Sequence, residues 1–280
     1  MAYVDFILNL AGLLIWFKWL EKNPQPNAPG LLMAVSHRRV RPAWTRFIGP
    51  MALALLIGIR AVIYWQIGSG VHWVARIPLG IISLPFRSDD LGRMLTFSTL
   101  SFGYALLWLY MTLLIFSALN RRRMESDPVQ RVVQALLGGL GRLPVLIQWS
   151  LPFAGVFVIW LVLYPGLKAM GILPGVSSFG SLAGQGGVMG AAVYLVWKYV
   201  LAGLLILYLL NSYIYFGASP LWTFIDRSGR NLLKGLSGLP LRAGRIDLAP
   251  MVMLVLVIAA AEAIRWGLGL LYEKVAFPLQ

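Results

Sequence analysis

The chain has 280 residues, of which 59% are hydrophobic and only 12% are charged, and its mean hydropathy is +0.76. Soluble domains carry about one quarter charged residues, so this composition indicates an integral membrane protein. The chain has no cysteine, which excludes disulfides and thiolate metal sites. Its two histidines, His37 and His72, lie outside the apolar runs. We therefore expect no bound cofactor or metal.

Six apolar runs approach the roughly 20 residues that a spanning helix needs. The first is expected to be a retained helix, because no basic residue precedes it. The sequence thus predicts an all-α polytopic membrane protein with about six transmembrane helices. The predicted spans are residues 3–20, 50–67, 96–119, 146–166, 190–215 and 249–271.

The positive charges concentrate in alternate connections between these spans. The first, third and fifth connections hold five Lys or Arg residues each, against three in the second, one in the fourth and one at the C-terminus. The positive-inside rule places the richer connections in the cytoplasm and both termini outside. Basic loops beside anionic lipid headgroups also account for the net charge of +14. Lipids are therefore the expected partners, and nucleic acid is not, because no soluble basic domain is present.

Two similar nonamers indicate an internal repeat. "LLGGLGRLP" (136–144) and "LLKGLSGLP" (232–240) share the pattern L-L-x-G-L-x-x-L-P, and Arg131 and Arg227 match at the same offset. In each copy a proline is expected to open the next span, Pro152 in the first and Pro250 in the second. We therefore predict one degenerate repeat over 96–171 and a second over 190–280.

The remaining segments complete the predicted organisation. Residues 1–95 form a two-helix hairpin followed by an interfacial segment on the outer side, at 72–86; a re-entrant loop is the alternative. Residues 172–189 are rich in glycine and are expected to form a flexible external loop. This loop should merge into close helix packing at Gly186 and Gly190, which are one small-xxx-small step apart.

Each repeat carries an amphipathic segment between its spans. In 126–139 the apolar stripe falls at helical spacing, and the opposite face takes Gln130, Arg131 and Gln134. Asp127 and Pro128 suit the N-cap and first helical positions, as do Ser219 and Pro220 in the second segment. Both helices are expected in the cytoplasmic headgroup layer; an ordinary solvated loop helix is the alternative. The stripe residues are Val129, Val132, Val133, Leu136 and Leu137 in the first segment and Leu221, Phe224, Ile225 and Leu232 in the second.

The segment "GLPLRAGRIDLAP" (238–250) predicts a structural corner before the last span. Pro250 presets the backbone of a first helical turn. Asp247 is placed to accept the exposed N–H groups and to complement the positive end of the helix dipole. Gly244 permits the backbone to reverse direction.

These residues resemble the repeat of the YggT family of bacterial and plastid membrane proteins. The matching positions are Ser219, Pro220, Pro240, Gly244, Asp247, Leu248, Ala249 and Pro250. Arg245 stands where the family usually has a small residue, and "IQWSLPF" (147–153) lacks the glycine and the aspartate of the corner. The resemblance covers 96–271; Asn23-Pro24 and Pro50 leave a third diverged copy open.

The resemblance implies a membrane protein of the bacterial cytoplasmic membrane, in a family that is poorly characterised as a group. Bacterial members of the family are linked to osmotic or salt tolerance and to the region of cell-division genes, and plastid relatives to haem attachment on a b-type cytochrome. No established reaction accompanies the fold, and the sequence carries no recognised catalytic motif. We therefore expect a non-enzymatic scaffold or assembly factor with membrane-protein partners or a second copy of itself.

Charged residues within the spans are the other candidates for function. They are Arg60, Lys198, Glu262 and Arg265. At a rise of about 1.5 Å per residue, Arg60, Lys198 and Glu262 are expected at similar depth, and Glu262 is the natural counter-ion. The alternative is that Lys198 and Arg265 snorkel outward while Glu262 pairs with Arg265 at i+3. Convergence on a polar path would instead favour a small transporter or channel.

Overall fold

The computed structural model describes residues 2–22, 47–120, 128–175, 178–214, 217, 219–236, 238, 241–243 and 246–276. Within these ranges six helical segments are long and apolar enough to cross a membrane. The predicted all-α polytopic membrane fold is thereby confirmed. The segments run over Tyr3–Leu20, Ile48–Val71, Leu91–Leu119, Val145–Ala169, Phe179–Tyr213 and Ala249–Val275.

The elements follow one another in a simple order. The N-terminal part contains α1 (Ala2–Lys22), α2 (Ile48–Val71), β1 (Val74–Pro78), β2 (Ser83–Arg87) and α3 (Leu91–Leu119). The middle contains α4 (Pro128–Leu137), a 3₁₀ turn (Gly138–Arg142) and α5 (Val145–Ala169). The C-terminal part contains α6 (Phe179–Ala192), a 3₁₀ turn (Val193–Val196), α7 (Trp197–Tyr213), α8 (Pro220–Leu233), a 3₁₀ turn (Lys234–Leu236), β3 (Arg242–Ala243), β4 (Ile246–Asp247) and α9 (Ala249–Ala276).

The described residues cluster into two compact units. Unit 1 comprises those of 1–78, 82–109 and 166–174, and unit 2 comprises those of 79–81, 110–165 and 175–280. This division differs from the predicted domains, because α3 and α5 each contribute to both units. The N-terminal hairpin and the first part of α3 thus form one packed body.

The outer interfacial segment predicted at 72–86 is a β-hairpin. β1 and β2 pair antiparallel, with Val74 opposite Arg87 and Pro78 opposite Ser83. Alternate side chains are buried, as expected for a strand with one covered face. Gly80 has φ +83° between the strands, a conformation that side chains disfavour.

The glycine-rich loop predicted over 172–189 is wrong from Phe179 onward, because α6 begins there. Ser178 caps its first turn by accepting a hydrogen bond from the Ser181 N–H at 3.2 Å. In an apolar environment the backbone must satisfy its own hydrogen bonds, which favours helix despite the glycines. The close packing predicted at Gly186 and Gly190 is confirmed. A Cβ atom would lie 3.2 Å from Phe157 at Gly186 and 2.9 Å from the Phe153 carbonyl oxygen at Gly190.

Pro152 does not open a span, contrary to the prediction, because α5 has already begun at Val145. Leu143 is extended, and the Gln148 N–H donates to the Pro144 carbonyl at 3.0 Å, so the start of the helix follows the Leu-Pro pair. Pro152 and Pro165 both lie inside α5. Interior prolines are tolerated in membrane helices because neighbouring groups satisfy the freed carbonyls.

The amphipathic helices form where they were predicted, but the buried face of α4 is not the predicted one. Val133 and Leu137 are buried as expected, whereas Val132 is 57% exposed and Gln130 is fully buried. Gln134 donates to Ser117 Oγ at 2.8 Å. The end of α3 thus presents polar partners that a hydrophobic pattern does not reveal. The position of α4 at the membrane surface stays a prediction.

α8 also packs through polar groups. Phe224 and Ile225 are buried as predicted, whereas Leu221 is exposed. Ser228 Oγ accepts from Asn120 at 2.7 Å. The Asn231 side-chain amide donates to the Leu119 carbonyl at 3.1 Å. α8 is therefore fixed to the end of α3 by hydrogen bonds as well as by apolar contacts.

The two amphipathic helices end at equivalent positions of the predicted repeat. α4 passes into 3₁₀ helix at Gly138, and α8 does so at Lys234. These residues are equivalent in the alignment of the two nonamers. The path then differs: the first copy enters α5 directly after Pro144, whereas the second forms the β3–β4 hairpin before α9.

Candidate functional site

Arg60 lies in the middle of α2 and forms the centre of a polar cluster in unit 1. Its side chain is 2% exposed and forms an ion pair with Asp5 of α1. The guanidinium also donates to Asn9 Oδ1 at 2.7 Å and to Ser101 Oγ at 2.8 Å. The Tyr64 hydroxyl donates to Asp5 at 3.3 Å. Three helices are thus joined by one buried cation.

Aromatic rings enclose this cation. The Arg60 guanidinium carbon lies 5.4 Å from the Tyr64 ring centroid and 5.5 Å from that of Phe97. Trp73 and Phe86 extend the aromatic cluster at the base of the β-hairpin, with centroids 6.1 and 5.7 Å from that of Phe97. Such rings stabilise a cation through their negative faces.

The predicted counter-ion of Arg60 is wrong. The prediction of Glu262 rests on the absence of any other deep acid in the sequence of spans two to six, but the acid that pairs with Arg60 comes from the first span. Asp5 and Asn9 are four residues apart, so they share one face of α1. The spacing of Asp5 and Asn9 is the feature of the sequence that could have predicted the partners of Arg60. The partner Ser101 carried no comparable signal.

Glu262 instead pairs with Lys198, one of the two cations expected at its depth, and also with Arg265 at i+3, the pair that the alternative predicted. The Lys198 Nζ lies 2.6 Å from Glu262 Oε1, and Arg265 Nε lies 3.5 Å from Glu262 Oε2. Lys198 also lies 4.8 Å from the centroid of the Tyr199 ring. This cluster lies within unit 2, so the three candidates Arg60, Lys198 and Glu262 belong to two separate groups of contacts.

The charged side chains near the middle of α9 are exposed. The side chain of Glu262 is 46% exposed and that of Arg265 is 56% exposed, whereas that of Lys198 is 17% exposed. No residue in the most apolar stretch of α9 is buried. An ion pair near the middle of a spanning helix is therefore uncovered on one side.

The corner before α9 has the predicted start. The Asp247 carboxylate accepts a hydrogen bond from the Ala249 N–H at 3.0 Å. Ala249 and Pro250 are the first two residues of the helix, and Pro250 is buried. Asp247 therefore caps one N–H group, as predicted. Gly244 lies outside the described residues.

The start of α8 matches its prediction. Ser219 is the N-cap and accepts from the Trp222 N–H at 3.4 Å, and Pro220 occupies the first turn. Within α8, the Asp226 carboxylate accepts a hydrogen bond from Arg230 and thereby raises the pKa of that guanidinium. Asp127, the predicted cap of α4, lies outside the described residues.

Among the residues that the structure describes, no group of three or more His, Asp or Glu side chains comes together in a way that could hold a metal ion. The chemistry that the described sites offer is charge pairing and hydrogen bonding within spanning helices. Comparisons of the chain with protein-family models, with curated proteins and with solved structures found no match.

Proposed function

We propose that this protein is a non-enzymatic, YggT-like membrane protein that acts as a scaffold or assembly factor in the cytoplasmic membrane of a bacterium. The observation that carries this proposal is the pairing of its intramembrane charges. Arg60 is neutralised by Asp5 inside unit 1, and Lys198 by Glu262 inside unit 2. A scaffold allows such charges to pair locally, whereas a conduction path needs them to line a shared polar cavity.

The predicted repeat supports the family resemblance. The helix-to-3₁₀ transitions of α4 and α8 fall at equivalent residues of the two nonamers, Gly138 and Lys234. In the second copy Ser219 and Asp247 both cap helices, as the pattern of the repeat implies. The basic cytoplasmic connections predicted from the sequence would hold anionic lipid or partner proteins.

Native-membrane extraction tests the proposal. The full chain, carrying a purification tag, would be extracted in a mild detergent, and the mass of the particle would be measured by light scattering. We expect a reproducible complex with other membrane proteins at fixed stoichiometry, which reciprocal purification through each partner recovers. A lone chain in several mild extraction conditions would contradict the proposal.

One observation favours a small transporter as the second candidate. The Arg60 side chain is buried, and one of its polar atoms, Nε, has no hydrogen-bond partner within the described residues. Buried polar atoms normally find partners. Solute or ion flux into vesicles containing the purified chain, lost in the Arg60→Gln variant, would favour transport over the scaffold.

A further inference from the structure

The surface of α9 carries a distinctive exposed face, here called the α9 face and made of Ala259, Glu262, Ala263, Trp266 and Gly267. These positions share one side of the helix by their spacing. The Glu262 side chain is 46% exposed, and Trp266 is 71% exposed. The face lies near the middle and in the second half of a helix that is apolar enough to cross a membrane.

The charges beside this face do not balance. Lys198 and Arg265 are both cations, and both contact the single carboxylate of Glu262. Asp5, an acid of another spanning helix, already pairs with Arg60. Among the described residues this group therefore has one more positive than negative charge, and Arg265, whose contact with Glu262 is the longer one at 3.5 Å, lies at the exposed edge of the α9 face. Exposed charge inside a membrane is unfavourable unless another polar group approaches it.

The α9 face also permits close approach of a second helix. Ala259, Ala263 and Gly267 follow one another at steps of four, the small-residue spacing that lets membrane helices pack backbone to backbone. At Gly267 even an added Cβ atom would meet nothing within 4 Å. Small residues thus lie beside Arg265, which shares the carboxylate of Glu262 with Lys198.

We propose that the α9 face binds a transmembrane helix of another protein that carries a carboxylate, which pairs with Arg265. A second copy of this chain fits less well, since it would bring the same excess cation and double the imbalance. With a carboxylate from a different helix, the group would contain two cations, Lys198 and Arg265, and two anions, Glu262 and the new carboxylate. The proposal rests on the proposed scaffold function and names the surface and the partner chemistry.

Energy transfer to a defined peptide tests this assignment. The chain has no natural cysteine, so a donor dye can be attached at Glu273→Cys, an exposed position near the end of α9. The labelled full chain would be reconstituted into phosphatidylcholine vesicles with an acceptor-labelled Leu/Ala transmembrane peptide that has one central Glu. The matched peptide has Gln at that position. We expect several-fold more transfer to the Glu peptide than to the Gln peptide.

Three variants test whether the preference for the Glu peptide depends on the charge of Arg265 or on a change in the fold. Arg265→Gln should lower transfer to the level of the Gln peptide, whereas Arg265→Lys should retain the preference. Lys274→Gln removes an equal charge from the same helix and should leave the preference unchanged. Equal transfer to both peptides, or a preference that survives Arg265→Gln, would overturn the assignment.

Two further outcomes would assign the α9 face to another occupant and so also overturn the proposal. Transfer between two labelled copies of the chain that depends on Arg265 would indicate self-association. Loss of the peptide preference when phosphatidylglycerol replaces part of the lipid would indicate that headgroup phosphates reach Arg265. If the native complex persists in Arg265→Gln, the scaffold function stands and the role of the α9 face is contradicted. If the native chain is alone but still prefers the Glu peptide, the role of the α9 face stands and the scaffold function is contradicted.

Discussion

Asp5 and Arg60 form the ion pair whose removal should cost the most stability in unit 1. Arg60 is 2% exposed, so Asp5→Asn leaves a buried guanidinium without its counter-ion. Breaking a buried pair in this way costs roughly 3–5 kcal/mol. We expect the free energy of unfolding, measured by denaturant titration in detergent, to fall by that order, and Arg60→Gln added to Asp5→Asn to recover part of the loss.

Asp89 provides the matched control. It pairs with Arg87 at 3.3 Å and with Arg93 at 3.2 Å, but its side chain is 48% exposed. Exposed pairs contribute only about 0–1 kcal/mol, so Asp89→Asn should have a small effect. An Asp5→Asn variant as stable as Asp89→Asn would mean that Arg60 does not depend on Asp5.

Glu262 allows a direct test of its two basic neighbours. The contact with Lys198 is 2.6 Å and that with Arg265 is 3.5 Å. Double-mutant cycles with Glu262→Gln should therefore give the larger coupling with Lys198→Gln, a smaller one with Arg265→Gln and none with Arg60→Gln. Coupling with Arg60 would contradict the arrangement described above.

The individual charges were identifiable from the sequence, but their pairings were not. Arg60 and Glu262 stood out because charge is rare in apolar runs. Which acid meets which base depends on helix neighbours that lie far apart along the chain: Asp5 and Arg60 are separated by more than fifty residues. Helical depth alone suggested Glu262 for Arg60, because depth carries no information about which helices pack together.

At the scale of the element, α6 offers two glycines with opposite surroundings. A Cβ atom at Gly190 would lie 2.9 Å from the Phe153 carbonyl oxygen, whereas one at Gly187 would meet nothing within 4 Å. Gly190→Ala should therefore destabilise the protein by about 1–3 kcal/mol through overpacking. Gly187→Ala should be neutral or stabilise it by up to roughly 1 kcal/mol, because alanine favours helix.

Thermal unfolding in one detergent compares the two glycine variants directly. The substitution, the helix and the added methyl group are the same, so only the neighbouring atoms differ. Similar midpoints for the two variants would show that α5 and α6 can separate to accommodate the methyl group without loss.

The cap of α9 gives a second prediction about an element. Asp247→Ala removes the acceptor of the Ala249 N–H and should lower stability by about 0.5–2 kcal/mol. Asp247→Asn keeps an acceptor oxygen and should be close to the wild type. If Asp247→Ala unfolds like the wild type but abolishes the native complex, Asp247 is a binding group rather than a cap.

Element types were predictable where one physical requirement dominates. Length and hydropathy located the six spanning segments, and Ser-Pro located the start of α8. The prediction failed for 179–189, where glycine content suggested a loop although the apolar surroundings favour a helix. It also failed for Gln130, whose burial depends on how α4 packs within unit 2.

At the scale of the whole molecule, each unit pairs its intramembrane cation with an acid of the same unit, among helices that are mostly apolar. Unit 1 places Asp5 and Ser101 around Arg60, and unit 2 places Glu262 beside Lys198. Hydropathy indicates how many helices cross the membrane. It cannot identify these charge pairs, and it cannot show that α3 and α5 each contribute residues to both units. The direction of crossing rests on the distribution of basic residues in the connections.

Single cysteines test that direction in a chain that has none of its own. Arg131 and Lys234 are exposed residues in connections predicted to be cytoplasmic, and Glu273 is exposed near the end predicted to lie outside. In intact cells a membrane-impermeant thiol reagent should label Glu273→Cys and spare Arg131→Cys and Lys234→Cys. Permeabilised cells should label all three, which controls for side-chain access. Labelling of Arg131→Cys together with protection of Glu273→Cys in intact cells would invert the topology, because the positive-inside rule would then have been overridden by other contacts.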